Sequence, residues 1–340
     1  MKMTLKNIGL GLGVALLTST VWSQDIHFSN AEYSPMNLNP GLTGVHARMQ
    51  ANVNYRTQWR SVATPYNTIA ASVEMRFNEQ KRQKKGIIAG GLNFYNDKVG
   101  NLPLSTNKFN LSFAYHLILD RTSTIGIGLY GGFGQRTLEP TDGHWGNQYD
   151  GTQYNSTLPS NEVFASNQFG FFDAGTGIVY NYKSGGSRGS NGAEKLITGG
   201  LAFYHVNNPN YSFINNEDET LPLRWSVFAN ATISLQNKNG AIMPGFYFNR
   251  QKSNMEILYG TYYRFTLGDG NVAKHLGLGV FHRWGDALIV KSFLQIGEFT
   301  GGVAYDFNIS SLSGASSGRG GMEVFMRYQL GPKGFSRSQI

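Results

Sequence analysis

"RMQANVNYRTQW", residues 48–59, alternates at every step. Met49, Ala51, Val53, Tyr55, Thr57 and Trp59 fall on one side of an extended chain. Arg48, Gln50, Asn52, Asn54, Arg56 and Gln58 fall on the other. Strand side chains point to opposite faces with a period of two, so this is a two-faced strand. The fold turns on which face meets water. In a soluble sandwich the apolar face points in and the polar face out. In an outer-membrane barrel the apolar face meets lipid and the polar face lines the bore.

Composition favours the barrel. Of 340 residues, 43 are glycine, 13% are aromatic and only 15% are charged. That balance suits barrel strands, aromatic girdles and tight turns. Mean hydropathy is −0.29, and beyond the N-terminal stretch no apolar run nears the ~20 residues of a spanning helix. There is no cysteine, which excludes disulfides, thiolate zinc centres, a cysteine nucleophile and a lipidated mature N-terminus. The net charge is +8. "KRQKK", residues 81–85, is the dense basic cluster; it reads as a solvated turn or, alternatively, as a site for an anionic partner.

"MKMTLKNIGLGLGVALLTSTVWSQD" has the layout of a signal peptide. Lys2 and Lys6 form a basic start, residues 8–17 a short apolar core, and Val21 and Ser23 the small-residue positions before Gln24. The mature chain is expected to begin near Gln24 and to be exported.

Alternating segments recur along the rest of the chain. Fourteen are expected, at about 47–59, 65–78, 86–97, 105–119, 122–137, 167–182, 194–206, 222–236, 241–250, 254–268, 274–284, 286–296, 299–309 and 320–330. Those at 194–206 and 274–284 are apolar on both faces. An even count puts both termini on the periplasmic side. The long connections 138–166, 207–221 and 310–319 then all fall outside, and turns such as "LDRT" and "QNKNG" inside, as barrels of this kind require. Arg48, Arg56, Glu74, Arg76, Arg264, Glu323 and Arg327 share the polar face, where charges can pair or stay wet. The expected fold is therefore all-β: one transmembrane antiparallel outer-membrane barrel of about 14 strands. The expected organisation is signal peptide 1–23, N-terminal segment 24–46, barrel 47–330 and tail 331–340.

Several stretches, in order, resemble a known family. "DIHFSNAEYSPMNLNPGLTG" (25–44), "NYRTQWRS" (54–61) and "YNTIAAS" (66–72) are followed by "FAYHL" (113–117), "FYHVNNPNYSF" (203–213) and "LPLRW" (221–225). "RWGDALI" (283–289) and "YDFNISSLSGASSGRGGMEVFMRY" (305–328) close the set. Together they resemble the PorP/SprF family of outer-membrane proteins of the type IX secretion and gliding machinery of Bacteroidetes. The resemblance implies an outer-membrane location. It also implies partners: a large secreted adhesin, whose C-terminal region such proteins help export or hold, and other type IX components. No family member is known as an enzyme.

The matched stretches, together with Arg48 on the first strand, supply the candidate contact residues for a partner or a plug: Tyr33, Pro35, Asn39, Pro40, Arg48, Arg56, Trp59, His205, Pro209, Tyr305, Asp306, Arg319 and Glu323. In "YSPMNLNPGLTG" (33–44) the prolines remove N–H donors, and Asn39-Pro40-Gly41 signals a turn. The segment is either a plug that closes the periplasmic mouth or enters the bore, or a rigid lead-in to the first strand. If it is a plug, Arg48 and Arg56 would anchor its carbonyls. Loop 138–166 reads as a partner-binding surface or an inward lid. The link between the last two strands reads as a flexible loop or an approach for a peptide edge. Asn215, Asn216, Glu217, Asp218 and Glu219 form a solvated acidic loop or, alternatively, a calcium site.

Other chemistries find no support. Gly126, Gly128 and Gly131 match GxGxxG, but within a strand pattern and with no helix following. There is no HExxH pair and no GxSxG elbow, and singly scattered arginines make nucleic acid a poor partner. No cofactor or metal is expected. Two functions remain: a non-enzymatic barrel that binds a secreted partner, and an outer-membrane transporter or porin for small hydrophobic or polar solutes. Fold alone does not separate them.

Overall fold

The computed structural model describes residues 25–331, except 63, 79–84, 101–103, 140–143, 162–165, 185–193, 215, 217, 236–239, 269–271, 273 and 312. Among the described residues, fourteen antiparallel strands close into one barrel. They are β1 (Met49–Gln58), β2 (Tyr66–Arg76), β3 (Gly86–Val99), β4 (Leu104–Ile118), β5 (Ser123–Thr137), β6 (Gln168–Ser184), β7 (Lys195–Tyr204), β8 (Arg224–Ser234), β9 (Gly240–Gln251), β10 (Asn254–Thr266), β11 (Lys274–Arg283), β12 (Ala287–Ile296), β13 (Phe299–Asn308) and β14 (Arg319–Leu330). Each pairs with its neighbours in sequence, and β1 pairs with β14 to close the wall. Every strand end falls within two residues of the limits set by alternation. Pro244 interrupts the β8–β9 ladder, which resumes on either side of it at Asn230–Gly245 and Ile233–Ile242, because proline has no N–H to donate.

Burial answers the question raised by β1. Gln50, Asn52, Asn54 and Arg56 are each 2% exposed or less, whereas Val53 and Tyr55 are 46% and 42% exposed. The polar face is inside. The outward face carries Phe109, Leu111, Phe113, Ile127 and Leu129, all exposed, where a barrel in the outer membrane meets lipid. Aromatic pairs mark both rims of this band: Phe203–Trp225 and Tyr305–Phe307 at one end, Tyr263–Phe265 and Phe299–Tyr328 at the other. The end carrying the long connections 138–167 and 205–223 is the outer one.

The two strands apolar on both faces have a physical reason to be so. Inward-facing Ala202 and Tyr204 of β7 cluster with Tyr130. Inward-facing Phe281 of β11 belongs to a buried cluster with Tyr33, Leu38 and Leu42, residues that precede the barrel in sequence. Apolar inner positions mark where the bore is filled by the chain itself.

An arginine on the lipid face should be costly and one on the inner face should not. Leu129→Arg, mid-strand in β5, is expected to lower folding stability in lipid vesicles by about 2–4 kcal/mol. Denaturant titration checks this; a loss under about 0.5 kcal/mol would mean that this face does not meet lipid.

Candidate functional site

Residues 25–47 run through the bore. At one end the Asp25 amide donates to Gln251 Oε1 (3.1 Å), and its carboxylate meets Arg224 Nη1 (3.1 Å) and His205 Nε2 (2.6 Å). Gln251 ends β9, Arg224 begins β8 and His205 follows β7, so all three lie at the outer rim. At the other end Arg76, the last residue of β2, donates to the carbonyls of Gly44 and Val45 (2.6 Å each). The chain therefore descends from the outer rim to the inner end before it turns into β1.

Three groups of contacts hold the segment. In the outer group, the Glu323 carboxylate accepts the backbone N–H groups of Ser29 (2.6 Å) and Asn30 (3.0 Å). The Ser29 hydroxyl donates to Asp306 (2.8 Å) and accepts from Arg56 (2.5 Å) and Arg283 (2.7 Å). Arg56 also pairs with Asp306 at 3.0 Å and Glu323 at 3.5 Å, with Arg56, Asp306 and Glu323 side chains all 5% exposed or less. Closure of the barrel creates this cluster, since the seam sets Arg56 directly opposite Glu323. Buried charges of this kind persist only when paired and hydrogen-bonded.

The middle group combines stacking and charge. Tyr33 stacks on Phe325 with ring centroids 3.6 Å apart. Glu32 accepts from Tyr262 (2.6 Å) and Tyr247 (3.1 Å) and pairs with Lys291 (3.4 Å). A single helical turn, Pro35–Leu38, follows, with proline at its first position where the N–H has no helical partner. Its carbonyls are taken by the wall: Met36 by Tyr204 Oη (3.2 Å), Asn37 by Arg224 (3.2 Å) and Leu38 by Ser226 Oγ (3.0 Å).

The inner group is a turn set among glycines. Asn39 Oδ1 accepts the Gly41 amide at 2.7 Å, and Asn39 Nδ2 reaches the Ile178 carbonyl at 3.3 Å. A side chain on Gly128 would strike Pro40 and Gly41, and one on Gly177 or Gly200 would strike Asn39. Three neighbouring strands thus leave room for one turn. Thr43 then meets Ser112 hydroxyl to hydroxyl at 2.8 Å, and His116 Nε2 meets the Thr43 carbonyl at 2.8 Å. Gly44 has φ +74 and faces Ala89 so closely that a side chain would not fit.

The structure brings most of the sequence-derived candidates to this segment. Tyr33, Pro35, Asn39 and Pro40 are buried in it; Arg56, Asp306 and Glu323 contact it, and His205 holds its start. Arg56 reaches it through the Ser29 hydroxyl rather than a carbonyl; the arginines that take its carbonyls are Arg224 and Arg76, the latter because its strand end lies beside the last turn. Arg48 lies at the inner end, its carbonyl accepting the Arg76 amide at 2.9 Å. Trp59 departs from the expected lipid-facing row. It lies past the end of β1 with φ +64, and that reversal breaks the alternation and turns it to the cavity described below. Tyr305 faces outward and packs on Phe307, away from the bore. Arg319 is exposed. Buried Pro209 lies in the β7–β8 loop, where its carbonyl accepts the Leu221 amide at 2.9 Å.

The link between β13 and β14 is ordered by one helical turn, Ser313–Ser316, with Ser316 buried. In loop 138–167 the described part folds on itself: His144 stacks on Tyr154 at 4.0 Å, and Gln148 donates to the Leu158 carbonyl. Residues 81–84 of the basic cluster, and Asn215 and Glu217 of the acidic loop, lie outside the described residues. Among the described residues, no group of three His, Asp or Glu is placed to hold a metal. Alternation alone missed the glycine cradle. Its trace in the sequence is the glycine spacing in β5: Gly128 admits the turn and Gly126 faces His116, while Gly131 faces open space.

His205 joins the segment to the wall. Its ring lies between Asp25 (2.6 Å) and Asp173 (2.9 Å), with Tyr130 and Lys108 also on Asp173. Burial alone would lower the imidazole pKa, but Asp25 and Asp173 outweigh it and raise it. Burial alone would raise the Asp25 pKa, but His205 and Arg224 hold it below the usual carboxylate range. Both shifts favour the charged form of each partner.

Above the segment a cavity of about 740 Å³ occupies the outer mouth. Asp25–Phe28 and Leu38 form its floor; strand ends of β1–β5 and β8–β11 and Tyr211 of the β7–β8 loop form its walls. That size lies within the ~300–1,000 Å³ of pockets that bury a small ligand or a short chain segment.

The family model for the type IX secretion system membrane protein PorP/SprF matches residues 21–328. No curated protein matches the chain. Among solved structures, the monoaromatic hydrocarbon channel TodX, as a deletion mutant, is 7% identical with TM-score 0.46, covering 88% of this chain and 94% of that one. The translocator domain of the autotransporter NalP from Neisseria meningitidis is 10% identical with TM-score 0.41, covering 89% and 96%. BamA from Haemophilus ducreyi, lacking three of its POTRA domains, is 9% identical with TM-score 0.42, covering 83% and 70%. At these scores the likeness carries nothing about function.

The glycine cradle gives a direct test. Gly177→Leu should leave a heat-resistant barrel but expel the Asn39–Gly41 turn, so that residues 25–45 become cleavable by added protease. Gly131→Leu, on the outward face with open space around it, should leave them protected. Protection in both variants would show that the turn does not depend on the cradle.

Proposed function

Because the chain belongs to the PorP/SprF family of type IX secretion system membrane proteins, we propose that it is a non-enzymatic outer-membrane barrel that binds a secreted surface protein. The partner is of the adhesin kind, and the barrel helps export it or anchors its C-terminal region beside the secretion machinery. The observation that carries this reading is the occupied bore. Residues 25–47 cross it from rim to rim and are fixed by the ion pairs of Asp25 with Arg224 and of Glu32 with Lys291, by stacking and by a shape-matched turn. A solute path would require all three groups of contacts to break together. Breaking a single buried pair by removing one partner already costs about 3–5 kcal/mol. What stays accessible is the outer mouth, the side from which a surface protein is met.

The test is mild-detergent purification of the tagged protein from native outer membranes, followed by mass spectrometry. The expected result is a large secreted protein or another type IX component in near-equal amount. The purified barrel, reconstituted in planar bilayers, should then pass little current. Recovery of a lone barrel together with steady solute flux would overturn the proposal in favour of a transporter.

A further inference from the structure

We propose that the outer cavity is a binding site for the free carboxylate at the end of an extended polypeptide, and that Arg136 receives it. This rests on the holder function and names what the partner presents. Four arginines line the cavity and they are not equivalent; Arg250 is exposed, and its Nε donates to the Lys252 carbonyl at 3.4 Å. Arg224 is paired with Asp25 at 3.1 Å. Arg283 is paired with Glu256, Asp286 and Asp306 at 3.3, 3.1 and 2.9 Å. Arg136 projects inward near the outer end of β5, and no carboxylate of a described residue lies within ion-pair distance of it. Its Nε is buried and has no hydrogen-bond partner, as holds also for the Nε atoms of Arg224 and Arg283, so it is the missing carboxylate that sets Arg136 apart from those two. Leaving such a donor unsatisfied costs about 1–3 kcal/mol, a cost that an incoming acceptor would remove.

The guanidinium also lies over an aromatic ring. Its carbon lies 4.5 Å from the Tyr211 ring centre and 6.0 Å from that of Phe213. Tyr211 is itself wedged edge-on against Phe169 and Phe171, at 5.3 and 5.1 Å. A planar fork stacked on an aromatic ring keeps its edge donors free, the geometry that binds a carboxylate through two parallel hydrogen bonds.

The remaining walls suit a peptide. Gln58, Asn249 and Asn254 offer amides to a main chain, and Trp59, Tyr95 and Trp284 offer rings to side chains. The cavity is blind because residues 25–38 close its floor, so a chain entering from outside must turn back or end there. A lipid phosphate fits less well. As a monoester it carries about −1.5 to −2 charge and would face Asp97, Glu256 and Asp286 on the same walls. A single terminal carboxylate on Arg136 meets less repulsion.

The test uses the full-length protein in detergent and two fluorescent pools of random hexapeptides, one ending in a free carboxylate and one in a carboxamide. The wild type is expected to bind the free-acid pool at least about tenfold more tightly. Arg136→Gln should abolish that difference, and Arg136→Lys should retain part of it, with barrel integrity of each variant checked by heat-dependent mobility. Equal binding of the two pools, no binding of the acid pool, or an undiminished preference in Arg136→Gln would overturn the proposal. Purification from membranes separates it from the broader reading. A secreted partner recovered equally with wild type and Arg136→Gln would sink the carboxylate site and leave the holder function standing.

Discussion

Glu323 faces the inside of the wall on the strand that closes the barrel, and it receives the amides of Ser29 and Asn30. The rest of the structure follows from the need to satisfy such groups. A barrel whose apolar face meets lipid must turn its polar residues inward. Here that inner face holds carboxylates, guanidinium groups and two lysines, Lys108 and Lys291, too deeply buried for bulk water to solvate. They are stable only with partners. Some partners come from strands two places away in the wall, as Arg56 and Arg283 do for Asp306. Others come from the N-terminal segment, whose prolines and short turns leave main-chain groups unpaired and available. Segment and wall each satisfy groups the other cannot satisfy alone.

The strands were legible in the sequence because period-two alternation is a local signal. Strand number, strand limits and the sorting of long and short connections all follow from it. The path of the segment was not legible. Its contacts join residues separated by more than a hundred positions, such as Asn39 with Ile178 and Ser29 with Glu323, and such pairs leave no periodic trace. The glycines of β5–β7 were equally silent, since a glycine that admits a turn looks like one that merely loosens a strand. Trp59 and Tyr305 show the limit of parity from the other side. A positive φ at a strand end reverses the face of one. The other keeps its parity and so points to lipid, although it neighbours Asp306 in the bore.

The same arrangement divides the molecule by role. The inner end is where the segment turns into the wall, and its contacts are main-chain carbonyls, a hydroxyl pair and close packing. The outer end concentrates ion pairs, the His205 contact and an open cavity whose floor is the start of the segment. A partner reaching the outer mouth therefore meets residues 25–28 directly. Recognition there would be coupled to the position of the segment through the ion pairs of Asp25 and Glu32 and the hydrogen bonds of Ser29.

The central claim is that residues 25–47 occupy the bore in the native membrane. The protein has no cysteine, so a single engineered pair can report on it. Thr43 and Ser112 meet hydroxyl to hydroxyl at 2.8 Å inside the barrel, and replacing both with cysteine changes shape little. With Thr43→Cys and Ser112→Cys together, oxidation of intact cells should close a disulfide between segment and wall in nearly all molecules. If instead both thiols react freely with a maleimide and no cross-link forms, the segment does not lie in the bore and the account fails.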